Sequence, residues 1–130
     1  WYRGCITHFW PSYMLEPQMT GFTVHELTDL LDHGPVIHQT GVELVRGDGL
    51  HDLACRAVQR LGEELPRIAQ LAQDDAVSAV AHKTSGRLWL ARDWRPEHLR
   101  VIYEHYDNRL VDLCLDGEIL GREPELIRQW

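Results

Sequence analysis

Turn-forming residues divide the C-terminal half of the chain at short and regular intervals. Runs typical of strands cover residues 76–82, 87–94, 99–106 and 109–115, and clusters of Gly, Pro, Asn, Asp and Ser separate them. In the last three runs, apolar residues alternate with more polar ones, as a sheet with one covered face requires. This pattern predicts an antiparallel β-meander of about four strands. Residues 76–82 have an alternative prediction. The helical spacing of apolar residues in 68–72 continues through Ala79 and Val80, which is typical of a helix that extends to about residue 83.

A first helix is predicted over residues 24–33. Thr23 and Glu26 have the spacing of a capping box, and Phe22 and Leu27 have that of a hydrophobic staple. Apolar residues then recur three and four positions apart, and the Gly-Pro pair at 34–35 ends the pattern.

A second helix is predicted over residues 50–65. Apolar residues recur every three or four positions from Leu50 to Leu65, which is typical of an amphipathic helix with one buried face. Pro66 is expected to end or kink this helix. Ile68 and Leu71 indicate a further turn or two, as far as residues 74–75.

The remaining segments are shorter. Residues 36–45 are predicted to form one strand or two short strands, and residues 2–10 an edge strand within an irregular N-terminal segment, 1–20. Pro124 is expected to open a short terminal helix. Together these elements predict one α+β domain over 1–130, with the meander covered on one face by two or three helices.

Charge limits the classes of partner. Among 130 residues, 13 are Lys or Arg and 20 are Asp or Glu, which gives a net charge of −7 with histidine neutral. Such a surface repels duplex nucleic acid and anionic membranes, so we expect neither as a partner and favour a basic protein. Twelve of the basic residues are arginine, a composition typical of GC-rich bacterial genomes. Arginines within the predicted sheet also allow a small anionic ligand.

The cysteines indicate a reducing compartment, and the first residue indicates a fragment of a longer protein. Cys5, Cys55 and Cys114 are odd in number and match no metal or redox spacing, so we expect free thiols and a cytoplasmic location. No apolar run is long enough to cross a bilayer, and no signal peptide opens the chain. Because the sequence begins with Trp1, we expect it to be a piece of a longer protein.

Two pairs of residues are weak candidates for acid–base catalysis. His105 lies beside Glu104, and His51 beside Asp52, and such pairs can transfer protons. As a strand, this segment places Glu104 on the same face as Arg100, near Asp112 or Arg92 of neighbouring strands, and opposite-charge pairs between strands are the competing structural explanation. No metal site is predicted, since two ligands on one helix are too few for zinc. No cofactor is predicted either, because the glycine-rich turn at 47–49 lacks the further glycine and lysine of phosphate-binding loops.

Aromatic and arginine residues near the predicted sheet are candidates for binding. An exposed aromatic side chain beside arginines is typical of an interface or of a ligand-stacking surface. The candidate binding residues are Trp89, Arg92, Trp94, Arg95, Arg100 and Tyr106.

These observations favour a small acidic protein–protein interaction module, for instance an inhibitor or an immunity-type protein that binds a basic partner. No catalytic motif is present, so an enzyme is the less favoured class. The alternatives are a small-molecule sensory or regulatory domain and a small enzyme with a His/Glu acid–base pair.

Overall fold

The computed structural model describes residues 1–30, 32–81 and 86–130 and shows a mixture of helices with short strands. The prediction of an α+β class is confirmed at that level. The strands form one parallel and one antiparallel pair. The elements are β1 Arg3–Gly4, α1 Trp10–Tyr13, a 3₁₀ turn Pro17–Met19, β2 Gly21–His25, β3 Val36–Gly41, α2 Leu50–Gln73, β4 Leu88–Trp89, 3₁₀ turns Ala91–Asp93 and Pro96–His98, a π-helical turn Val101–His105, and α3 Leu110–Leu115.

The predicted four-strand meander is not what the structure shows. Among the described residues of the predicted strands 76–82, 87–94, 99–106 and 109–115, the second contains a strand of two residues, and the first contributes a single antiparallel bridge from Val80 to Val36. The end of the first falls on residue 82, outside the described residues, as does the end of the alternative helix to residue 83. Residues 101–105 and 110–115 are helical instead.

The reason lies in the spacing of the apolar residues that become buried. Leu99, Ile102, Tyr106 and Leu110 lie three or four positions apart, and Ile102 and Leu110 are among the most buried residues of the chain. This helical period competes with the alternating pattern in the same sequence. The helical period prevails as far as Tyr106 because it places Leu99, Ile102 and Tyr106 against the core that contains the aromatic residues of α1. Asp107 and Asn108, both with positive φ, then separate this stretch from α3.

The predicted helix over 24–33 is also wrong for the residues that the structure describes, and residue 31 lies outside them. Residues 21–25 form β2, which pairs antiparallel with β3 in the register Phe22↔Thr40, Thr23↔Gln39 and Val24↔His38. The leucines after β2 have a helical spacing but no surface to cover, since Leu27 is 97% exposed and Leu30 is 67% exposed. Pairing with β3 therefore outweighs the local capping signal.

The predicted strand over 36–45 is confirmed for its first part, β3, and no strand follows as far as residue 49. The predicted helix over 50–65 is confirmed and extends through Pro66 to Gln73. Leu53, Ala57 and Ile68 are its buried positions, and α2 packs against both β2 and β3. Pro66 is tolerated because this stretch of the helix faces solvent, where water can satisfy the carbonyl that a proline leaves unbonded.

At the N-terminus, the predicted edge strand over 2–10 shrinks to β1, which pairs parallel with β4. The chain then turns into α1, whose Trp10 stacks on Trp89 with ring centroids 3.9 Å apart. The hydrophobic core contains the buried side chains of Phe9, Trp10, Leu50, Trp89, Ile102 and Leu110.

The predicted helix from Pro124 is absent, and residues 121–130 have no regular structure. Among the described residues, no helix combines the length and the apolar character needed to span a membrane.

Candidate functional site

His25 and Asp32 lie at the open end of the β2–β3 hairpin. His25 is the last residue of β2, and Asp32 belongs to the loop that leads into β3. Nε2 of His25 is 3.9 Å from Oδ1 of Asp32, and the two side chains are 26% and 45% exposed. An imidazole and a carboxylate thus face each other at a partly desolvated position.

The base of the loop is closed by a backbone contact that holds this pair in place. The Glu26 N–H donates to the Pro35 carbonyl over 2.9 Å. Gly34 passes so close to β2 that a Cβ at this position would lie 1.7 Å from the Glu26 carbonyl oxygen. Asp32 has a φ of 55°, in the left-handed region that non-glycine residues rarely adopt. The loop therefore folds tightly enough to bring a residue seven positions away next to His25.

The hydrogen bonds of His25 assign its tautomer. Nδ1 lies 2.9 Å from the Glu26 carbonyl oxygen, which can only accept, so Nδ1 carries the proton and donates. In the neutral ring, Nε2 then has a free lone pair on the side of Asp32. His25 can accept a proton there, and an oxygen of the Asp32 carboxylate lies 3.9 Å from the same nitrogen.

A cavity of about 300 Å³ opens beside this pair. Besides Asp32, its wall contains the charged side chains of Arg3 and Glu125. Three parts of the chain that are distant in sequence form this wall: the N-terminal segment, the hairpin with its loop and the 3₁₀ turn before it, and the C-terminal segment. The lining residues are Trp1, Tyr2, Arg3, Gly4, Thr7, Gln18, Met19, Thr20, Gly21, Phe22, Thr23, His25, Asp32, Gln39, Thr40, Gly41, Pro124, Glu125 and Leu126.

An ion pair beside the cavity ties the two ends of the chain together. Nε and Nη2 of Arg122 donate to the two carboxylate oxygens of Glu16 over 2.6 and 2.7 Å. The Tyr2 hydroxyl donates to the same carboxylate over 2.5 Å. The hydrogen bonds from Arg122 are the main cause that lowers the pKa of Glu16, while burial raises the pKa of Tyr2. Glu16 therefore stays ionised and fixes the aromatic wall of the cavity.

The weak catalytic candidates lie elsewhere. Asp52 accepts the Gly49 N–H over 3.0 Å and so caps α2, while His51 is exposed with its ring 6.4 Å from that of Tyr103. Glu104 pairs with Arg100 over 2.9 Å along the helical turn. His105 is exposed beside it. None of these four candidates lines the cavity.

The candidate binding residues are dispersed as well. Trp89 is only 6% exposed and belongs to the core, while Trp94 lies half-buried against Phe9 with ring centroids 6.4 Å apart. Tyr106 is half-buried beside the same core. The arginines at 92, 95 and 100 are exposed, and none of the six candidates lines the cavity.

Sequence reasoning therefore missed His25 and Asp32. Both fell within the segment predicted as a helix, where a spacing of seven places two residues nearly two turns apart. The one available signal was the Gly34–Pro35 pair, which was interpreted as a helix end and in fact marks the base of the loop. Across residues 1–30, 32–81 and 86–130, no group of three or more His, Cys, Asp or Glu side chains is placed to hold a metal ion.

The chain is similar in sequence to curated enzymes. It is 29% identical over 110 residues to the dTDP-4-amino-4,6-dideoxyglucose formyltransferases of Mycobacterium bovis and Mycobacterium tuberculosis. The match covers 79% of this chain and 46% of each relative. The chain thus spans about half the length of the curated relatives it matches. No family model matches it.

The fold of the chain is also similar to solved structures of formyltransferases. The formyltransferase PseJ from Anoxybacillus kamchatkensis, in complex with UDP-4,6-dideoxy-4-formamido-L-AltNAc and tetrahydrofolate, superposes with a TM-score of 0.68 at 21% identity, over 87% of this chain and 58% of PseJ. This likeness shows a shared fold. A "likely sugar N-formyltransferase" from Mycobacterium tuberculosis superposes with a TM-score of 0.63 at 26% identity, over 87% of this chain and 50% of that protein.

These findings correct the functional prediction. The relatives are formyltransferases, which points to an enzyme and not to a protein-interaction module of the inhibitor or immunity type. The expected basic protein partner is wrong for the same reason, because it depended on the interaction module that the match to formyltransferases contradicts. The expectation of a small ligand agrees in part with PseJ, which is bound to a nucleotide sugar and tetrahydrofolate.

Proposed function

We propose that this chain forms part of a sugar N-formyltransferase, in which the His25–Asp32 cavity is the site of formyl transfer. The observation that carries the proposal is the sequence match to formyltransferases over 79% of the chain. The reaction moves a formyl group from a tetrahydrofolate donor to the amine of a nucleotide-linked amino sugar.

The geometry of His25 suits the proton transfer in this reaction. When the sugar amine attacks the formyl carbon, a carbon–nitrogen bond forms and the amine must lose a proton. Nε2 of His25 accepts this proton, because Nδ1 already donates to the Glu26 carbonyl. The bond from the formyl carbon to the donor nitrogen then breaks, and that nitrogen takes up the proton that the His25 imidazolium gives back. Atoms balance, and no oxidation or reduction takes place.

The wall of the cavity suits ligands of this kind. Trp1, Tyr2 and Phe22 supply aromatic faces on which a nucleobase or a pterin ring can stack. Arg3 supplies a guanidinium for phosphate or carboxylate groups. Asp32 and Glu125 supply negative charge that suits an amino sugar. The free thiols of Cys5, Cys55 and Cys114 support a cytoplasmic location as a part of this proposal.

Product analysis by mass spectrometry tests the proposal. The chain is incubated with dTDP-4-amino-4,6-dideoxyglucose and formylated tetrahydrofolate, and the N-formylated sugar is quantified. We expect His25→Asn and Asp32→Asn each to lower the rate by about 10²–10⁴-fold, the range for removing a general base or the group that supports it. The matched controls His51→Asn and Asp52→Asn carry the same substitutions at the predicted pair outside the cavity, and we expect less than a twofold change.

Two results would contradict the proposal. One is the absence of both product formation and saturable binding of either substrate to the wild-type chain. The other is equal loss of rate in the His25 and His51 variants, which would separate the activity from the cavity.

A further inference from the structure

Residues 122–130 form a strap that crosses the surface beside the cavity without regular structure. One end is fixed by Arg122, which is bonded to both oxygens of Glu16 and whose guanidinium lies 4.4 Å from the centre of the Trp1 ring. The middle of the strap contacts β3 through the Gln39 N–H, which donates to the Ile127 carbonyl over 2.6 Å.

The other end is held by the side chain of Gln129. Its Nε2 donates to the carbonyls of Ile37 and Ser78 over 2.5 and 2.7 Å, and its Oε1 accepts the Ser78 N–H over 3.0 Å. The Gln129 backbone N–H donates to Nδ1 of His38 over 3.2 Å. One amide side chain thus joins the strap to β3 and to the segment after α2.

A buried network lies behind this attachment. His38 is 2% exposed, and because its Nδ1 accepts from Gln129, its Nε2 carries the proton and donates to Glu64 over 3.2 Å. Burial of Glu64 opposes its ionisation, but hydrogen bonds from Thr40 and His38 together with the charge of Arg60 outweigh that effect and lower the pKa of Glu64. The ring of Trp130 stacks on His38 at 4.5 Å. The C-terminal end of the strap therefore rests on a fixed, fully bonded surface.

The strap separates two spaces. Pro124 and Leu126 line the cavity beside His25, and they also line a second groove of about 810 Å³ between the strap and α2. Glu125 belongs to the wall of the cavity alone, and Arg128 to the wall of the groove alone. Opening the strap would join the two spaces and remove one wall of the site.

We infer that the strap is a movable wall of the cavity and that Gln129 is a positioning residue that holds it closed against the ligand. The strap is held by polar bonds at both ends and by two hydrogen bonds between Ile127 and Gln39, and a segment with no helix or sheet of its own opens locally at lower cost than the elements it covers. The inference rests on the proposed function for the identity of the ligand. The hydrogen bonds by which Gln129 holds the strap do not depend on which ligand binds.

Hydrogen exchange and ligand binding on Gln129→Ala test this inference. The variant removes three hydrogen bonds, so we expect the amides of Gln39 and Ile127 to exchange at least about tenfold faster, while the amides of Leu53 and Ala57 inside α2 are unchanged. A merely destabilised fold would raise all four rates together. The matched control is Arg128→Ala, the adjacent strap residue, whose exposed side chain faces the groove.

Binding is measured by calorimetry with tetrahydrofolate and with dTDP as probes. We expect the Kd of at least one probe to rise by about tenfold in Gln129→Ala and to stay within twofold in Arg128→Ala. Unchanged exchange at Gln39 and Ile127, or faster exchange with unchanged Kd values, would overturn the inference. If the wild-type chain binds neither probe, the proposed function fails, and the exchange rates alone then decide whether Gln129 holds the strap.

Discussion

Gly34→Ala is the substitution that most sharply tests how the loop positions His25. The added Cβ would lie 1.7 Å from the Glu26 carbonyl oxygen, 2.7 Å from its carbon and 3.2 Å from Nδ1 of His25. To reach 3.0 Å, below which real Cβ atoms are essentially never found, the Cβ and the oxygen must separate by at least about 1.3 Å. The obstacle is backbone, so no rotation of a side chain relieves it.

That displacement breaks two hydrogen bonds that share Glu26. The bond from His25 Nδ1 to the Glu26 carbonyl and the bond from the Glu26 N–H to Pro35 are both 2.9 Å, and an increase of this size takes them beyond bonding distance. At about 1 kcal/mol each, the free energy of unfolding falls by roughly 2 kcal/mol. Because His25 then loses its orientation, we expect the rate of formyl transfer to fall by about 10²-fold.

Urea unfolding and the nitrogen chemical shifts of His25 measure these effects. The matched control is Gly62→Ala, where the added Cβ meets nothing within 4 Å on the exposed face of α2. There the same substitution should stabilise the chain by about 0.5–1 kcal/mol, since alanine favours helix over glycine. A Gly34→Ala variant with wild-type stability and an unchanged His25 tautomer would refute the close approach between the loop and β2.

Two further predictions concern the core and the acid stability of the chain. Trp89→Ala should cost about 3–5 kcal/mol in urea unfolding because Trp89 is buried against Trp10, whereas Arg92→Ala on the exposed surface should stay within about 0.5 kcal/mol. Equal costs would place Trp89 on the surface. For acid stability, hydrogen bonds from Arg122 lower the pKa of Glu16, and the pKa of Glu64 is lowered as well. Each group stabilises the fold above its ordinary pKa of 4.5, and this contribution is lost as the pH falls below 4.5 towards the lower pKa of the folded state. Thermal unfolding at pH 3–6 checks this, and a melting temperature that rises on acidification would contradict it.

The helix α2 could be predicted because its apolar spacing has surfaces to bury against. Leu53 and Ala57 are almost fully buried beneath the hairpin, so the local pattern and the packing agree. After β2, the spacing of Leu27 and Leu30 is just as regular, yet both side chains remain exposed. A sequence pattern shows which residues could share a face but not whether another element covers that face.

The candidate site could not be predicted for a related reason. His25 and Asp32 meet only because β2 pairs with β3 and Gly34 allows the loop to close, and neither event is visible in the spacing of the two residues. The cavity also draws on the N-terminal segment and on Leu126 near the other end of the chain. Such contacts between distant parts of a sequence depend on the tertiary fold. The Arg100–Glu104 ion pair was missed for the same reason, because this segment was predicted as a strand whose charges pair with neighbouring strands, whereas the pair spans one helical turn.

The central claim is that the cavity beside His25 is the ligand site of this chain. The most direct measurement is a titration of the labelled chain with tetrahydrofolate and with dTDP-4-amino-4,6-dideoxyglucose, followed by NMR of the histidine rings. We predict saturable shifts of the His25 ring, with the rings of His51 and His105 unchanged. Shifts at His51 or His105 without any at His25, or no saturable shift at all, would contradict the account.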